Sequence, residues 1–392
     1  MNIAIFTDTY LPDLNGVATA TKILKDVLVS HGHKVIIVCP GLKGQHKFTF
    51  KDGIMRIPGK SLRFLYGYRM SFFFNSKAFK ILKKLPIDII HIQQEFGVSI
   101  FGRICAKILN IPLIYTYHTS YADYSNYISH TKVSEKAAEK LLIKLIRKVI
   151  SLKGEIITPS LKSRKALLSY GVNKYIHVIP NALDIDSPDN SNYKERESAF
   201  REKYHLEGKK ILLYLGRIAK EKNISELLQG FNLYKNKYQD DNAVLLIVGF
   251  GPDMDKLIKE KDELERKDDI IFIGKVPHED TWFYYQISDI FLSASLSETQ
   301  GLTYSEAISN SLIVLAKYDS NLDFLIQDGV TGFFFDNVHS LAERIHQILT
   351  LDIEKKKTIM KQAKERNSYL FSKETYYERI IHVYEKALRH SF

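Results

Sequence analysis

Short runs of β-branched and aliphatic residues alternate, along the first half of the chain, with segments that have helical spacing. The apolar runs predict strands at 2–8, 34–40, 87–93, 112–118, 155–160 and 175–180. Runs that are apolar at nearly every position are typical of strands covered on both faces, and the helices between them favour a parallel arrangement. The first half is therefore predicted to be an α/β domain.

The second half repeats this pattern. Further apolar runs predict strands at 210–217, 243–249, 269–274, 289–295 and 312–317, each followed by a helical stretch. Residues 181–193 separate the halves and are rich in Asn, Asp, Ser and Pro, which predicts a linker. Two α/β domains joined in this way would hold a ligand in a central cleft, at the carboxyl ends of both sets of strands. The apolar spacing of residues 374–388 predicts a terminal helix that docks on one of them.

Composition narrows the class of protein. The 392 residues are 45% hydrophobic and include only 10 Pro, which excludes disorder as the main state. The two cysteines, Cys39 and Cys105, lie in apolar stretches, so a disulfide scaffold is excluded and a reducing compartment is favoured. Residues 1–8 lack the basic region of a signal peptide, and no apolar run approaches membrane-spanning length, so we expect a cytoplasmic protein.

The net charge of +11 is distributed unevenly. Residues 1–190 contain 27 Lys and Arg against 13 Asp and Glu, a net charge of +14, and residues 191–392 carry −3. This asymmetry indicates that one domain alone meets an anionic surface, either nucleic acid or lipid.

The strongest candidate for chemistry lies in residues 289–310. A loop after the predicted strand carries Glu298 and Gly301, and a helix that begins near Leu302 carries Glu306, so both carboxylates can face one crevice. Backbone N–H groups at the start of that helix favour a phosphate. Two carboxylates beside an anion site suit a nucleotide sugar, whereas a solvated acidic loop is the alternative.

A second candidate follows the strand at 210–217. Gly216 allows a ligand to approach the backbone, while Arg217 and Lys222 supply a bidentate fork and a point charge that suit a diphosphate. Asn223 is predicted to cap the next helix. For Arg217 or Lys222 taken alone, a basic loop at a domain edge is the alternative.

Two further candidates lie in the first half. Gly16 follows Asn15 in a predicted turn, and the helix that begins there can point its N-terminus at a phosphate. His118 lies at the carboxyl end of the strand at 112–118, where the commoner role of a histidine is structural.

The segments NGVATAT, YTYHTSYADY, GRIAKEKN and SETQGLTYSEA together resemble the family-four retaining glycosyltransferases of the GT-B fold. Within that family they are similar to the bacterial diacylglycerol glucosyltransferases, over essentially the whole chain. The resemblance implies two Rossmann-like domains, with UDP-glucose between them and no required metal or cofactor. It implies an acceptor and membrane-binding domain over 1–180, a linker at 181–193, a nucleotide-sugar domain over 194–372, and residues 373–392 crossing back onto the first domain.

The resemblance also assigns roles to the candidate residues. Arg217 and Lys222 would hold the diphosphate, and Glu306 would bind the ribose. Glu298 would bind the hydroxyls of the donor sugar, and His118 would stand near the sugar at the reaction centre. The expected catalytic residues are His118, Glu298, Arg217 and Lys222. The expected donor-binding residues are Gly16, Arg217, Lys222, Glu298, Gly301, Leu302, Thr303 and Glu306.

This chain departs from the family pattern at two places. Residues 309–314 read SNSLIV where a Ser-Gly-Thr-Pro-Val run is usual, and Ala182 replaces a glycine in the linker. Both changes concern backbone geometry rather than phosphate ligands. An Asp-x-Asp sequence at 184–186 imitates a metal-binding motif but lies in the linker, and residues 248–253 lack the third glycine of a dinucleotide fingerprint.

Two segments carry the excess charge of the first half. Residues 132–154 form a predicted basic amphipathic helix of net charge +5 that can lie on an anionic membrane, and residues 56–86 interleave basic residues with aromatic ones. Each segment could instead pack on the sheet. The second would also suit single-stranded nucleic acid, but nucleic-acid binding leaves the carboxylate pair of Glu298 and Glu306 unexplained. The predicted membrane-binding residues are Arg63, Arg69, Lys136, Lys140, Lys144, Arg147 and Lys148.

We therefore expect a retaining enzyme that moves glucose from UDP-glucose to 1,2-diacylglycerol and so forms monoglucosyldiacylglycerol. It would be peripheral on the cytoplasmic face of the cell membrane, with anionic lipids but no nucleic acid as partners. The alternatives are a GT-B enzyme with a soluble or glycolipid acceptor and, from another class, a non-catalytic membrane-binding protein. The sequence does not decide whether the donor sugar is glucose or galactose, and it offers no covalent nucleophile.

Overall fold

A computed structural model of the chain describes residues 1–13, 15–42, 44–45, 47–61, 69–71, 73–95, 97–118, 143, 147, 154–183, 193–296, 298 and 300–389. The chain divides into two compact units. The first unit comprises Met1–Leu183 and Phe371–Phe392, and the second comprises Asp184–Leu370.

The first unit is built on a sheet that is almost entirely parallel. Its strands are β1 (Asn2–Phe6), β2 (Lys34–Pro40), β3 (Thr49–Lys51), β4 (Ile54–Ile57), β7 (Ile89–Ile92), β8 (Leu113–Thr116), β9 (Glu155–Thr158) and β10 (Ile176–Val178), with β5 (Gly59–Ser61) and β6 (Arg69–Ser71) in a separate antiparallel pair. Its helices are α1 (Gly16–Ser30), α2 (Ser76–Leu82), α3 (Gly97–Leu109), α4 (Leu161–Ser169) and the terminal α12 (Lys373–Arg389). Among the described residues the strand order is β10-β9-β8-β7-β1-β2-β4-β3, and β3 pairs antiparallel with β4.

Helices cover both faces of this sheet, as the sequence predicted. Alternate residues of β1 enter different cores: Ile3 and Ile5 pack in a cluster with residues of α1 and α12, whereas Ala4 and Phe6 pack in a cluster with residues of α3. The two-residue period of a strand produces this division, because successive side chains point to opposite faces. Cys39 and Cys105 are both buried and unpaired, which confirms their role as core residues.

The terminal helix belongs to the first unit. Tyr376, Ile380, Val383, Tyr384 and Ala387 of α12 are buried in the same cluster as Ile3 and Ile5. Their spacing of three and four residues forms one apolar stripe along a helix. The expectation that this segment is a helix and docks is confirmed.

The second unit contains a sheet whose strand pairs are all parallel in the described part of the chain. Its strands are β11 (Lys210–Leu215), β12 (Ala243–Val248), β13 (Ile270–Gly274), β14 (Ile290–Ser293), β15 (Ile313–Lys317) and β16 (Phe333–Phe335), in the order β13-β12-β11-β14-β15-β16. The helices are α5 (Tyr193–Lys203), α6 (Ile224–Tyr238), α7 (Met254–Asp262), α8 (Thr281–Gln286), α9 (Leu302–Ser309), α10 (Val338–Thr350) and α11 (Ile353–Phe371). Short 3₁₀ turns occupy Lys220–Lys222, Lys267–Asp269 and His278–Asp280.

Every strand expected from an apolar run is present in the two sheets. Strands β3, β4, β5, β6 and β16 were not predicted, since three or four residues are too few to show a period. The Asp-x-Asp sequence and most of the expected linker, at 184–192, lie outside the described residues. No helix within the described ranges is long and apolar enough to cross a bilayer.

Candidate active site

The candidate residues of the second unit meet at the carboxyl edge of its sheet. Strand β11 leads into Gly216 and Arg217, and β14 leads into Ser295 and Glu298. Because β11 and β14 are parallel neighbours, the two loops that follow them start at the same edge. The backbone joins them as well, since the N–H of Leu296 donates to the carbonyl of Glu221 at 2.9 Å. Two loops distant in sequence therefore form one surface.

Two glycines in residues 248–253 allow a third loop to lie against this surface. A Cβ at Gly249 would be 1.8 Å from the carbonyl oxygen of Gly216, and one at Gly251 would be 1.9 Å from that of Ile218. Any larger residue would force these backbones apart. The glycines that resembled a dinucleotide fingerprint therefore have a packing role between β12 and the loop after β11.

Lys222 and Glu298 form an ion pair at this edge. Nζ of Lys222 lies 2.6 Å from Oε1 of Glu298 and 3.2 Å from Oγ of Ser295, and the two charged side chains are 24% and 12% exposed. Partial burial reduces screening by solvent, so this pair is stronger than an exposed surface pair. The arrangement holds an ammonium group and a carboxylate at fixed positions, where the ammonium can meet a phosphate and the carboxylate a hydroxyl group. Sequence reasoning placed both residues on loops but did not identify Ser295.

Arg217 is half-exposed and pairs with Glu221, four residues later. Burial raises the pKa of Glu221. Hydrogen bonds from its own backbone N–H and from Arg217, together with the charges of Arg217 and Lys222, lower the pKa by more than burial raises it, so the net pKa is below its usual value. Glu221 therefore stays ionised near neutral pH and holds the guanidinium at the sheet edge. Sequence reasoning did not identify this partner.

Glu306 is positioned by a tyrosine that the sequence analysis missed. The hydroxyl of Tyr285, on α8, donates to Oε2 of Glu306 at 2.8 Å. Burial and the charge of Glu306 raise the pKa of Tyr285 well above its usual value, so the phenol remains a neutral donor. Tyr285 lies within the predicted helical stretch that precedes β14, and no spacing rule connects it to Glu306 some twenty residues later.

Helix α9 begins at Leu302, as predicted, and carries Glu306 in its second turn. Gly301 precedes it with φ of 70°, in the left-handed region that favours glycine. Gly301 has no side chain to cap the helix, so it leaves the first-turn N–H groups, including those of Leu302 and Thr303, without a side-chain cap at this position.

The departure SNSLIV follows this helix. Ser311 has φ of 66°, a conformation that costs a residue other than glycine roughly 1 kcal/mol or more. Leu312 is buried and Ile313 opens β15. The left-handed turn is therefore formed without glycine.

Two expectations about helix starts need correction. Asn223 does precede α6, but its side chain donates to Glu226 and does not cap the backbone. In the first unit, Asn15 does cap α1, accepting from the N–H groups of Val17 and Ala18 at 3.1 and 3.0 Å. These two N–H groups are thus occupied by Asn15 and are not available to a phosphate, which leaves the backbone of Gly16 as the expected contact. Among the described residues, apart from its chain neighbours and the backbone of its own helix, no atom lies within 4 Å of a Cβ built on Gly16, so that backbone is open to close approach.

His118 lies two residues beyond β8 in the first unit. Its Nε2 is 2.7 Å from Oε1 of Gln93, which follows the neighbouring strand β7. Burial lowers the pKa of His118 to about 4, so the imidazole is neutral at physiological pH. A polar residue at the end of the adjacent predicted strand, 87–93, was the available signal for Gln93.

Most of the predicted membrane-binding residues lie outside the described residues. These are Arg63, Lys136, Lys140, Lys144 and Lys148. Arg69 begins β6. Arg147 is helical and exposed, and its guanidinium carbon would be 3.6 Å from a Cβ on Gly171, while Ile143 packs against the core of the first unit.

The described part of residues 56–86 exposes basic and aromatic groups together. Phe73 and Phe74 are 51% and 44% exposed, just before α2. Helix α2 buries Ala78 and Leu82. The lysines on and directly after it, Lys77, Lys80, Lys83 and Lys84, are exposed, and we call them the α2 lysines.

Comparison with known proteins agrees with this arrangement. Residues 14–187 match the family described as Glycosyltransferase Family 4, and residues 195–366 match the family described as Glycosyl transferases group 1. Alpha-monoglucosyldiacylglycerol synthase of Acholeplasma laidlawii is 34% identical over 357 residues, which cover 89% of this chain and 88% of that protein. The Streptococcus pneumoniae protein of the same name is 35% identical over 352 residues, 89% of this chain and 78% of that protein.

Solved structures confirm the fold class. Anabaena Alr3699/HepE in complex with UDP superimposes with a TM-score of 0.70 at 17% identity, covering 98% of this chain and 100% of that one. Sucrose-phosphate synthase from Thermosynechococcus elongatus has a TM-score of 0.70 at 18% identity, covering 99% of both chains. From its identity to the two synthases across most of its length, the chain belongs to the GT-B glycosyltransferases, in the family of the alpha-monoglucosyldiacylglycerol synthases.

Proposed function

We propose that this protein transfers glucose from UDP-glucose to the free hydroxyl group of 1,2-diacylglycerol at the cytoplasmic face of the membrane. The observation that carries the proposal is the 34–35% identity to two alpha-monoglucosyldiacylglycerol synthases over 89% of the chain. The names of these relatives specify an alpha product. UDP-glucose carries its glucose in the α configuration, so this product requires retention.

The sheet edge of the second unit supports a nucleotide-sugar donor. The fold-related Anabaena protein has been solved with UDP and with UDP-glucose. In our proposal Arg217 and Lys222 bind the diphosphate, and the backbone N–H groups of Gly301, just before α9, and of Leu302 and Thr303 in its first turn add an anion contact. Glu306 binds the ribose.

The reaction breaks the bond between the anomeric carbon of glucose and the phosphate oxygen, which places negative charge on departing UDP. Arg217 and Lys222 are already held by Glu221 and Glu298, so little reorganisation is needed when this charge develops. Glu298 and neutral His118 orient the hydroxyls of the sugar, and the open backbone of Gly16 allows the phosphates to come close. These residues supply position and electrostatic stabilisation.

The charge of the first half supports an anionic membrane as the second partner. The α2 lysines lie beside exposed Phe73 and Phe74, and each basic residue near an anionic surface contributes on the order of 1 kcal/mol. Aromatic rings insert at the level of the head groups. The predicted basic segment 132–154 adds a net charge of +5 to the same half of the chain.

The test is an assay of purified protein with diacylglycerol in anionic mixed micelles. UDP-glucose and UDP-galactose are supplied in separate reactions, and the anomeric proton coupling of the lipid product is measured by NMR. We expect an α-glucosyl product. Transfer to a soluble acceptor or a glycolipid but not to diacylglycerol would favour the corresponding alternative acceptor.

A paired variant tests the site within this assay. Lys222→Ala should abolish most turnover without loss of fold. Lys237→Ala is the matched control, because it removes another lysine of the same unit that pairs with a glutamate, Glu343, at 3.1 Å. Lys237 lies near the end of α6, away from the N-terminal side that follows Lys222. Full activity in Lys222→Ala would contradict the proposed donor site.

A further inference from the structure

Two side-chain hydrogen bonds with the same sequence offset join β7 and β8 and the residues that directly follow these strands. Nε2 of His91 lies 2.7 Å from Oγ1 of Thr116, and Oε1 of Gln93 lies 2.7 Å from Nε2 of His118. Each bond joins a residue to the one 25 positions later. The pair of Gln93 and His118 lies two residues after the pair of His91 and Thr116 on each segment. It therefore continues the same register past the carboxyl ends of the two strands, where ligands of parallel sheets bind.

Gln93 restricts the protonation of His118. The amide of Gln93 is buried, at 1% exposure, and its Oε1 can only accept a hydrogen bond. The structure turns Oε1 of Gln93 towards the ring and its amide nitrogen away from it, and in this orientation Nε2 of His118 carries the hydrogen of the contact. Since a neutral imidazole has one N–H group, Nδ1 is left with a lone pair and acts as an acceptor.

The groups around the pair keep the imidazole neutral. Burial lowers the pKa of His118 to about 4, and burial together with nearby His118 lowers that of His91 to about 3. From α12, the hydroxyl of Tyr384 lies 2.7 Å from Nδ1 of His91. Burial raises the pKa of this tyrosine well above its usual value, so the phenol brings no charge.

We propose that Gln93 is a positioning residue that holds His118 in the Nε2–H tautomer, so that Nδ1 accepts a hydrogen bond from a substrate hydroxyl group. An acceptor nitrogen selects a hydroxyl, which has a hydrogen to donate, and rejects the oxygen of a phosphate or carboxylate. The selected group is thus a neutral hydroxyl of the sugar. This inference rests on the proposed place of His118 near the donor sugar.

The first test reads the tautomer directly. In full-length protein with ¹⁵N-labelled histidine, the ring nitrogens of His118 are assigned by comparison with His118→Gln, and their shifts and couplings identify the protonated one. We expect Nε2–H at pH 7 in the natural protein. In Gln93→Leu the ring loses this constraint, so we expect a mixture of tautomers and a fall in kcat of about tenfold, the effect of one net hydrogen bond.

The second test uses the isosteric variant Gln93→Glu. A carboxylate against Nε2 favours the charged imidazolium and raises the pKa of His118. Nδ1 of the imidazolium carries a hydrogen and can no longer accept one. Turnover of this variant should therefore fall as pH drops through the raised pKa and recover at higher pH, whereas the natural protein shows no such limb between pH 5 and 8.

Thr116→Val is the matched control for both measurements. It breaks the equivalent buried bond one step earlier in the same ladder. We expect a lower unfolding midpoint with no change in the tautomer of His118 or in the pH profile of turnover. A pH profile that changes equally in Thr116→Val would mean that general packing, and not Gln93, is responsible.

Two results would overturn the inference, and they are distinguishable. His118 in the Nδ1–H form, or a tautomer that is unchanged in Gln93→Leu, would refute the constraint itself, whatever the enzyme does. A tautomer that shifts in Gln93→Leu while kcat and the pH profile stay constant would instead refute the placement of His118 at the substrate. Failure of the wider function is separate, since it appears as absence of transfer in the natural protein.

Discussion

Tyr285→Phe isolates the contribution of one hydrogen bond to donor binding. The substitution removes the hydroxyl that donates to Oε2 of Glu306 at 2.8 Å and keeps the buried ring. A hydrogen bond to a charged group contributes roughly 1.5–3 kcal/mol. Glu306 is only half-buried, so water can replace part of this, and we take the lower end of the range. The expected loss is about 1.5 kcal/mol, or roughly a tenfold change in donor affinity.

The position of Glu306 in the site determines which kinetic constant changes. The proposed partner of Glu306 is the ribose, which is remote from the anomeric carbon, so the contact is equally strong in the ground state and the transition state. Loss of uniform binding raises KM and leaves kcat unchanged. We therefore expect about a tenfold higher KM for UDP-glucose, an unchanged KM for diacylglycerol, and weaker UDP binding by calorimetry.

Tyr304→Phe is the control for Tyr285→Phe. It removes another buried tyrosine hydroxyl, which donates to Oγ of Ser293 at 2.7 Å, a neutral acceptor outside the proposed donor contacts. This variant should lose stability with no change in the KM for UDP-glucose. An unchanged KM in Tyr285→Phe, or an equal fall of kcat and kcat/KM, would refute the proposed division of roles.

Three further outcomes are expected. Lys222→Ala should lower kcat/KM by about a hundredfold or more, the size of one lost charge contact in the transition state, while Lys237→Ala stays near the natural value in steady-state assays. Reversing the α2 lysines to glutamate, or raising the salt concentration, should weaken binding to anionic vesicles and turnover on lipid; equal weakening of UDP binding would mean that the charge has another role. The free energy of unfolding should fall as pH is lowered from 6.5 towards 4, because the imidazoles of His91 and His118 take up protons in the unfolded chain but not in the folded one. This free energy is measured by denaturant titration at each pH. An equal dependence of the unfolding free energy on pH in His91→Gln would contradict this explanation.

The long apolar runs were sufficient to predict the architecture. Buried parallel strands such as 34–40 and 243–249 are apolar at nearly every position, because helices cover both of their faces. The need for apolar side chains on both faces of a strand is visible in the local sequence, so these strands can be predicted without knowledge of distant contacts. β16 escaped prediction, although it is a run of three phenylalanines, because three residues cannot be assigned to strand or helix by pattern.

The chemistry of the candidate site was readable in part. Residue types such as Arg217, Lys222 and Glu298 on loops after strands indicate phosphate and hydroxyl ligands, because charge and hydrogen-bonding capacity belong to the side chain itself. The 2.6 Å contact of Lys222 with Glu298 is different, since it requires β14 to lie beside β11. Strand order depends on how whole strands and helices pack, and no local pattern specifies it.

The same distinction separates the residues that were found from those that were missed. A residue with a charge or an imidazole, such as Glu306 or His118, shows its chemistry in the sequence. Its partner, Tyr285 or Gln93, is an ordinary polar residue whose role arises from lying within hydrogen-bonding distance in the folded chain. Local patterns thus identify the groups that can react or bind, while packing between distant segments sets the protonation, orientation and charge with which they do so.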